Sequence, residues 1–245
     1  MDVTHFKELA YLDRSYWWFM VRFSVAVRLL CREQPLKDFN LIVDWGCGTA
    51  GFLEYLRNVE GVPTSRLLGF EPSPYAHNLM KKSGIACRHL ILDIPIIDQL
   101  PSASDAIFML DVLEHVINPV SIMKELKNAA APGAKLVVMV PAFQHLWSIW
   151  DERMGHKRRY NRSLLEKQII QAGWRIEESQ YFFSGLYPIA LIRQYLIRLD
   201  RISENEFPRV SPRLNNLFYK WFHLESKFYR LPFGTSLAAL AQKPI

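Results

Sequence analysis

Residues 41–52, LIVDWGCGTAGF, contain the groups with the clearest chemical meaning in this chain. An apolar run, Leu41-Ile42-Val43, ends at an acid, Asp44, and passes directly into Gly46, Cys47, Gly48 and, after Thr49-Ala50, Gly51. That order predicts a buried parallel strand, a tight glycine turn and a helix start, with backbone N–H groups and the helix dipole facing a crevice suited to a nucleotide-like cofactor. The glycine spacing alone also satisfies the dinucleotide fingerprint of nicotinamide and flavin enzymes. Asp44 tilts the choice, because a carboxylate repels a diphosphate but attracts the ammonium and sulfonium of S-adenosylmethionine.

Further along, Glu71 falls at a predicted strand end about 20 residues beyond the glycine turn, where such an acid accepts ribose hydroxyls. Two histidines, His115 and His156, are candidate general bases for an acceptor hydroxyl, since imidazole is neutral and basic at working pH. Packing of His115 at a helix start and capping of a surface turn by His156 are the structural alternatives. Arg159 and Tyr160, within GHKRRYNR, could bind a phosphate, carboxylate or sugar through guanidinium donors, or form structural ion pairs. Trp18 and Arg22, on an opening amphipathic helix expected over residues 13–33, complete the expected acceptor-binding set.

These groups need a frame. The pattern predicts strands at 41–44, 66–71, 85–93, 105–110, 135–141, 174–182 and 235–242, with helices at 52–58, 74–83, 119–130 and 162–172. Strands alternating with helices at this spacing predict an α/β fold with a doubly wound, mostly parallel sheet. The expected organisation is one domain over 1–245: an N-terminal helical cap (1–40), a cofactor-binding core (41–182), a helical insertion (185–232) and a last strand (233–245). The insertion is basic and aromatic, which suits a lid over an apolar acceptor, a membrane contact or simple core packing.

Composition sets outer limits. Half of the 245 residues are apolar, and the formal net charge is +6. Residues 1–150 carry −1 and residues 151–245 carry +7, so the positive charge is concentrated in the last third. No apolar run approaches the roughly 20 residues of a spanning helix. The first residues show no signal-peptide pattern, and three scattered cysteines suggest neither a disulfide framework nor a thiolate zinc cluster. The expected location is the cytoplasm, with peripheral membrane contact as an addition.

Four motifs in order, VDWGCGTAG, LLGFEPS, MLDVLEHVINP and NAAAPGAKLVVMVP, resemble those of class I S-adenosylmethionine-dependent methyltransferases. The LEHV element is similar to that of members acting on quinones, lipids or saccharides. The resemblance implies a seven-stranded Rossmann-like sheet, with Asp44, Gly46, Cys47, Gly48, Glu71, Pro72, Asp93 and Asp111 around the cofactor and Asp93 accepting from the adenine amino group. Two departures stand out: Ala50 replaces the usual third glycine, with Gly51 expected to supply the flexibility, and Ala134 follows Pro132-Gly133. An acid-x-x-Glu-His grouping found in some methyltransferases makes Asp111, Glu114 and His115 a candidate hard-metal set that His145 or His156 would complete, although no metal is the primary expectation.

The resulting expectation is transfer of a methyl group from S-adenosylmethionine to an oxygen of a small-molecule, lipid-linked or saccharide acceptor. Nucleic acid is disfavoured, because LDVLEH stands where many base methyltransferases carry an Asn/Asp-Pro-Pro-aromatic turn. The rivals are an NAD(P)-dependent oxidoreductase and a non-catalytic module of the same fold that binds a membrane or a partner.

Overall fold

A computed structural model describes residues 10–80, 84–89, 96–198, 210–228 and 231–244. Seven strands form one sheet: β1 (Leu41–Trp45), β2 (Leu67–Glu71), β3 (Ala86–His89), β4 (Ser104–Leu110), β5 (Lys135–Pro141), β6 (Arg175–Phe182) and β7 (Ser236–Gln242). Their spatial order is β3-β2-β1-β4-β5-β7-β6, and β7 alone runs antiparallel to its neighbours. The central strands read as unbroken apolar runs because both faces are covered: Ile42, Val43, Ile107, Phe108, Val137 and Val138 are all fully buried.

Helices α1 (Trp17–Leu30), α2 (Gly51–Asn58), α3 (Pro74–Met80), α4 (Pro119–Ala129), α5 (Ile149–Met154), α6 (Arg162–Gln171), α7 (Leu186–Arg198) and α8 (Pro212–Phe228) surround the sheet. One core joins α1, α2 and Phe222 of α8 to the sheet, and a second joins α4 and α6 to its other face. α1 begins four residues later than the apolar spacing predicts, at Trp17, because Asp13 and Arg14 are drawn into contacts with Thr49 and Glu54.

The expected insertion over 185–232 contains α7 and α8. α8 lies against α1, with Asn215 accepting the Trp17 N–H at 2.9 Å and Trp17 stacked on Phe222 at 5.0 Å. The buried Glu225 accepts the N–H groups of Ser184 and Gly185 just before α7, which ties the two helices together at that end.

The chain leaves β1 toward β2 and β3, then crosses back to place β4 on the other side of β1. At this reversal a crevice opens beyond the carboxyl ends of the strands, the usual position of a ligand in such sheets. Asp44 lies near the end of β1, Glu71 at the end of β2 and Asp111 just beyond β4.

Candidate active site

The crevice is a cavity of about 1100 Å³ lined by the glycine turn, the tips of β2 and β4 and the first turns of α1. Gly46 and Gly48 adopt left-handed φ values of 84° and 54°. A Cβ on Gly46 would lie 2.7 Å from the Val112 side chain, so only glycine lets the turn close against the loop after β4. The turn is anchored to β2, where the Gly46 and Cys47 N–H groups donate to the Phe70 carbonyl at 2.8 and 3.0 Å.

Gly51 does not supply the conformational freedom expected of it. The residue with left-handed φ is Ala50, at 67°, and Gly51 already begins α2. Gly51 is required for space, because a Cβ there would collide with the buried carboxyl of Asp13. Asp13 accepts a hydrogen bond from the Thr49 hydroxyl and pairs with Arg14 at 2.9 Å. Burial pushes its carboxyl up to about 6. Sequence reasoning missed Asp13, and its only signal is a charged pair directly before an aromatic helix.

Asp44 is buried at the base of the cavity, and burial together with the nearby Glu71 charge raises its carboxyl to about 8. Glu71 accepts the Gly48 N–H at 2.9 Å and the Ser73 N–H at 3.0 Å while still lining the cavity. Cys47 and Pro72 line the same end, and Cys47 Sγ lies 3.6 Å from Cys87 Sγ. Asp93 lies outside the described residues. A buried acid that ionises against a bound ammonium, with Glu71 beside the left-handed glycine turn, fits a cofactor bearing an ammonium and ribose hydroxyls.

The loop after β4 forms the opposite wall. Asp111 adopts a left-handed φ of 55° and is ion-paired with Arg22. Arg22 is buried, donates to Ser236 Oγ at 2.8 Å and stacks over Trp18 at 4.2 Å. Trp18 and Arg22 therefore reach the cavity as expected, whereas the neighbouring Trp17 packs away from it among Phe183, Phe218 and Phe222.

Two segments distant in sequence meet beside this wall. The Lys157 N–H donates to the Glu114 carbonyl at 2.7 Å, which brings His156 against His115 with ring centroids 4.7 Å apart. Tyr160 locks the join. It is fully buried, and its hydroxyl donates to the Leu113 carbonyl at 3.2 Å, so the structure places it in the core and not at the pocket mouth. Arg159 lines the cavity, but its guanidinium makes a bidentate pair with Asp151 at 2.8 and 2.7 Å. Asp151, which sequence reasoning left unassigned, is fully buried and caps α5 through Ser148. Burial alone would raise its carboxyl, but hydrogen bonds from His156 and Arg159 hold it down at about 2.

Glu114 is also fully buried, and burial together with the Asp111 charge pushes its carboxyl well above the usual range. Burial and the neighbouring His156 lower His115 below the ordinary imidazole value. The cavity thus holds two polar groupings, Asp44 with Glu71 and Glu114 with His115 and His156.

Fold and site together define a doubly wound α/β domain with an acid-rich glycine turn at the carboxyl ends of its strands. A family profile described as "Methyltransferase domain" matches residues 22–179, spanning both polar groupings. The chain belongs to that family and is a class I S-adenosylmethionine-dependent methyltransferase. A stretch of 120 residues is 34% identical to a tRNA U34 carboxymethyltransferase of Cellvibrio japonicus, and the match covers 45% of this chain and 35% of that relative.

Among solved structures, a chain from the complex between the Haloferax volcanii Trm112 methyltransferase activator and a methyltransferase superposes with a TM-score of 0.61 at 16% identity, covering 98% of each chain. A SAM-dependent methyltransferase from Archaeoglobus fulgidus gives 0.56 at 16% identity, covering 90% of this chain and 94% of that one. Phosphoethanolamine N-methyltransferase 2 of Haemonchus contortus, in complex with S-adenosyl-L-methionine, gives 0.55 at 14% identity, covering 98% and 60%. At these identities the likeness establishes the fold alone.

Proposed function

We propose that the protein transfers the methyl group of S-adenosylmethionine to an oxygen of a small-molecule or lipid-linked acceptor with an apolar body. The observation that carries this reading is the apolar part of the cavity lining. It includes Phe19, Phe23, Phe52, Val116, Trp150 and Met154, and the two arginines that line the cavity, Arg22 and Arg159, are each engaged by a carboxylate. Such a lining desolvates an apolar acceptor and, among the described residues, offers a polyanion no uncommitted guanidinium.

The cofactor supplies an electrophilic methyl on a sulfonium, so the chain's task is placement. Asp44 and the glycine turn hold the amino-acid part, and Glu71 is positioned for the ribose. The cluster of Glu114, His115 and His156 faces the acceptor volume, where an acceptor hydroxyl would lose its proton. Exposed apolar side chains on α7 and α8, including Ile192, Leu217 and Trp221, suit an acceptor presented at a lipid surface.

A tRNA acceptor is the second reading, favoured by the name of the Cellvibrio japonicus relative and by the basic last third of the chain. Transfer of labelled methyl from S-adenosylmethionine into fractionated cell extract separates the two. Label in the organic-soluble fraction is expected, and label confined to RNA would replace the first reading with the second.

A further inference from the structure

The second polar grouping of the cavity contains a buried acid with unmet needs. Neither carboxylate oxygen of Glu114 has a hydrogen-bond partner, although the residue is fully buried. Nε2 of His156 lies 4.0 Å from Oε1, beyond hydrogen-bonding reach. A buried acid left in this condition is costly, and in native folds such a group is commonly explained by an ion, a water or a catalytic role.

Its surroundings favour an ion. Glu114, His115 and His156 each offer one ligand atom, and these atoms all lie within 4.8 Å of one another. All three residues line the cavity. Nδ1 of His156 lies 2.8 Å from Oδ1 of Asp151, a carboxylate that Arg159 holds in its charged form. The Nδ1 position therefore carries the proton, and Nε2 presents its lone pair toward Glu114. A carboxylate behind an imidazole in this way is the arrangement that orients metal-ligating histidines. The ring of His115 lies against that of His156, with centroids 4.7 Å apart, which brings a second imidazole to the same spot. Asp111, expected from sequence to be the third ligand, is instead taken by Arg22.

We propose that Glu114, His115 and His156 bind a divalent first-row transition cation, with Asp151 as the positioning residue for His156. Small side-chain rotations close the cluster onto one ion. Two imidazoles and a carboxylate leave coordination positions open to the cavity, where an acceptor oxygen can bind and become more acidic. That last role rests on the reading of an oxygen acceptor, whereas cation binding itself rests on the side chains alone.

The test uses the full chain stripped with chelator and titrated with Co²⁺, followed by visible absorption and calorimetry. One Co²⁺ per chain is expected, displaced by Zn²⁺, with affinity falling about tenfold or more in Glu114→Gln and His156→Ala and about 10- to 100-fold in Asp151→Asn. Binding that is absent, or equal in wild type, Glu114→Gln and His156→Ala, overturns the proposal. S-adenosylhomocysteine affinity, measured on the same stripped samples, reports whether each variant is folded. It also separates the two readings: failure of wild type to bind that ligand sinks the cofactor assignment and leaves the cation result standing. Glu114→Gln conserves volume and remains decisive if Asp151→Asn does not fold.

Discussion

Glu71 accepts the Gly48 N–H at 2.9 Å, so the acid at the tip of β2 also shapes the glycine turn after β1. Its other oxygen accepts the Ser73 N–H at 3.0 Å. Glu71→Ala removes both acceptors and the expected ribose partner. Hydrogen bonds to a charged group contribute about 1.5–3 kcal/mol each, so affinity for S-adenosylhomocysteine should fall roughly tenfold or more. Calorimetry giving an unchanged dissociation constant would show that the cofactor lies elsewhere.

The raised carboxyl of Asp44 makes cofactor binding depend on pH. In the free protein, burial keeps Asp44 protonated up to about 8, whereas a bound ammonium favours the ionised form. Binding at neutral pH should therefore release a proton, and affinity should increase as pH rises toward 8. For stability the sign is opposite. The contribution of Asp44 is full below the unfolded-state value near 4 and is lost as pH rises through about 8. Calorimetry in buffers of differing ionisation enthalpy, with Asp44→Asn as the reference, checks the release. Equal heats in all buffers would contradict it.

Ala50 and Gly51 make opposite predictions at adjacent positions. A non-glycine residue in the left-handed region costs about 1–2 kcal/mol, part of which Ala50→Gly returns as unfolded-chain entropy, leaving a net gain of roughly 0.5 kcal/mol. Gly51→Ala forces a methyl against Asp13 and should cost about 1–3 kcal/mol. Urea denaturation should move the midpoint up for the first and down for the second at constant slope. Movement in the same direction for both would refute the division of labour between them.

These two residues also show how far sequence can be read. The motif LIVDWGCGTAG marks strand, turn and helix because each step depends on local chemistry: apolar burial, positive φ and a helix start. Which small residue takes the left-handed angle depends on a neighbour, Asp13, that is 38 positions from Gly51 in sequence, and no local pattern records it. The same limit applies to Tyr160, which reads as exposed among arginines but is buried because its segment bridges to Ala142. His115 and His156 were visible as separate candidates. Glu114 and His115 also read as a metal set that His145 or His156 could complete, but the choice of His156 was not legible, because it depends on one backbone bond between Lys157 and Glu114. The strands of the sheet were legible because those covered on both faces must be continuously apolar, whereas the short helix α5 at Ile149–Met154 was not.

Arg22 and Asp111 offer a test of the contact between α1 and the loop after β4. The guanidinium is almost entirely buried, whereas the carboxyl is one-third exposed. Asp111→Ala strands a buried charge and should cost about 3 kcal/mol or more, whereas Arg22→Met replaces the charge with apolar volume and should cost less. Denaturation of the two variants and the double variant checks this order. If Arg22→Met is the more damaging, the pair is not what holds α1 to β4.

α8 carries two apolar stripes, and among the described residues only one of them packs into the core. Phe218 and Phe222 face inward to Trp17. Leu214, Leu217, Trp221 and Leu224, at helical spacing of three and four, remain exposed, with Arg213, Lys220 and Lys227 on the same helix. An apolar stripe flanked by lysine and arginine suits the interface of an anionic bilayer, where aromatic and aliphatic groups insert and the cations meet headgroups. Among the described residues no helix is long and apolar enough to cross a membrane, so the expected mode is surface contact. The protein should cosediment with vesicles containing phosphatidylserine, and Leu217→Ser with Trp221→Ser should abolish this without altering affinity for S-adenosylhomocysteine. Raising salt should weaken binding to anionic vesicles. Cosedimentation that is unchanged in the double variant would assign the exposed stripe to a different partner.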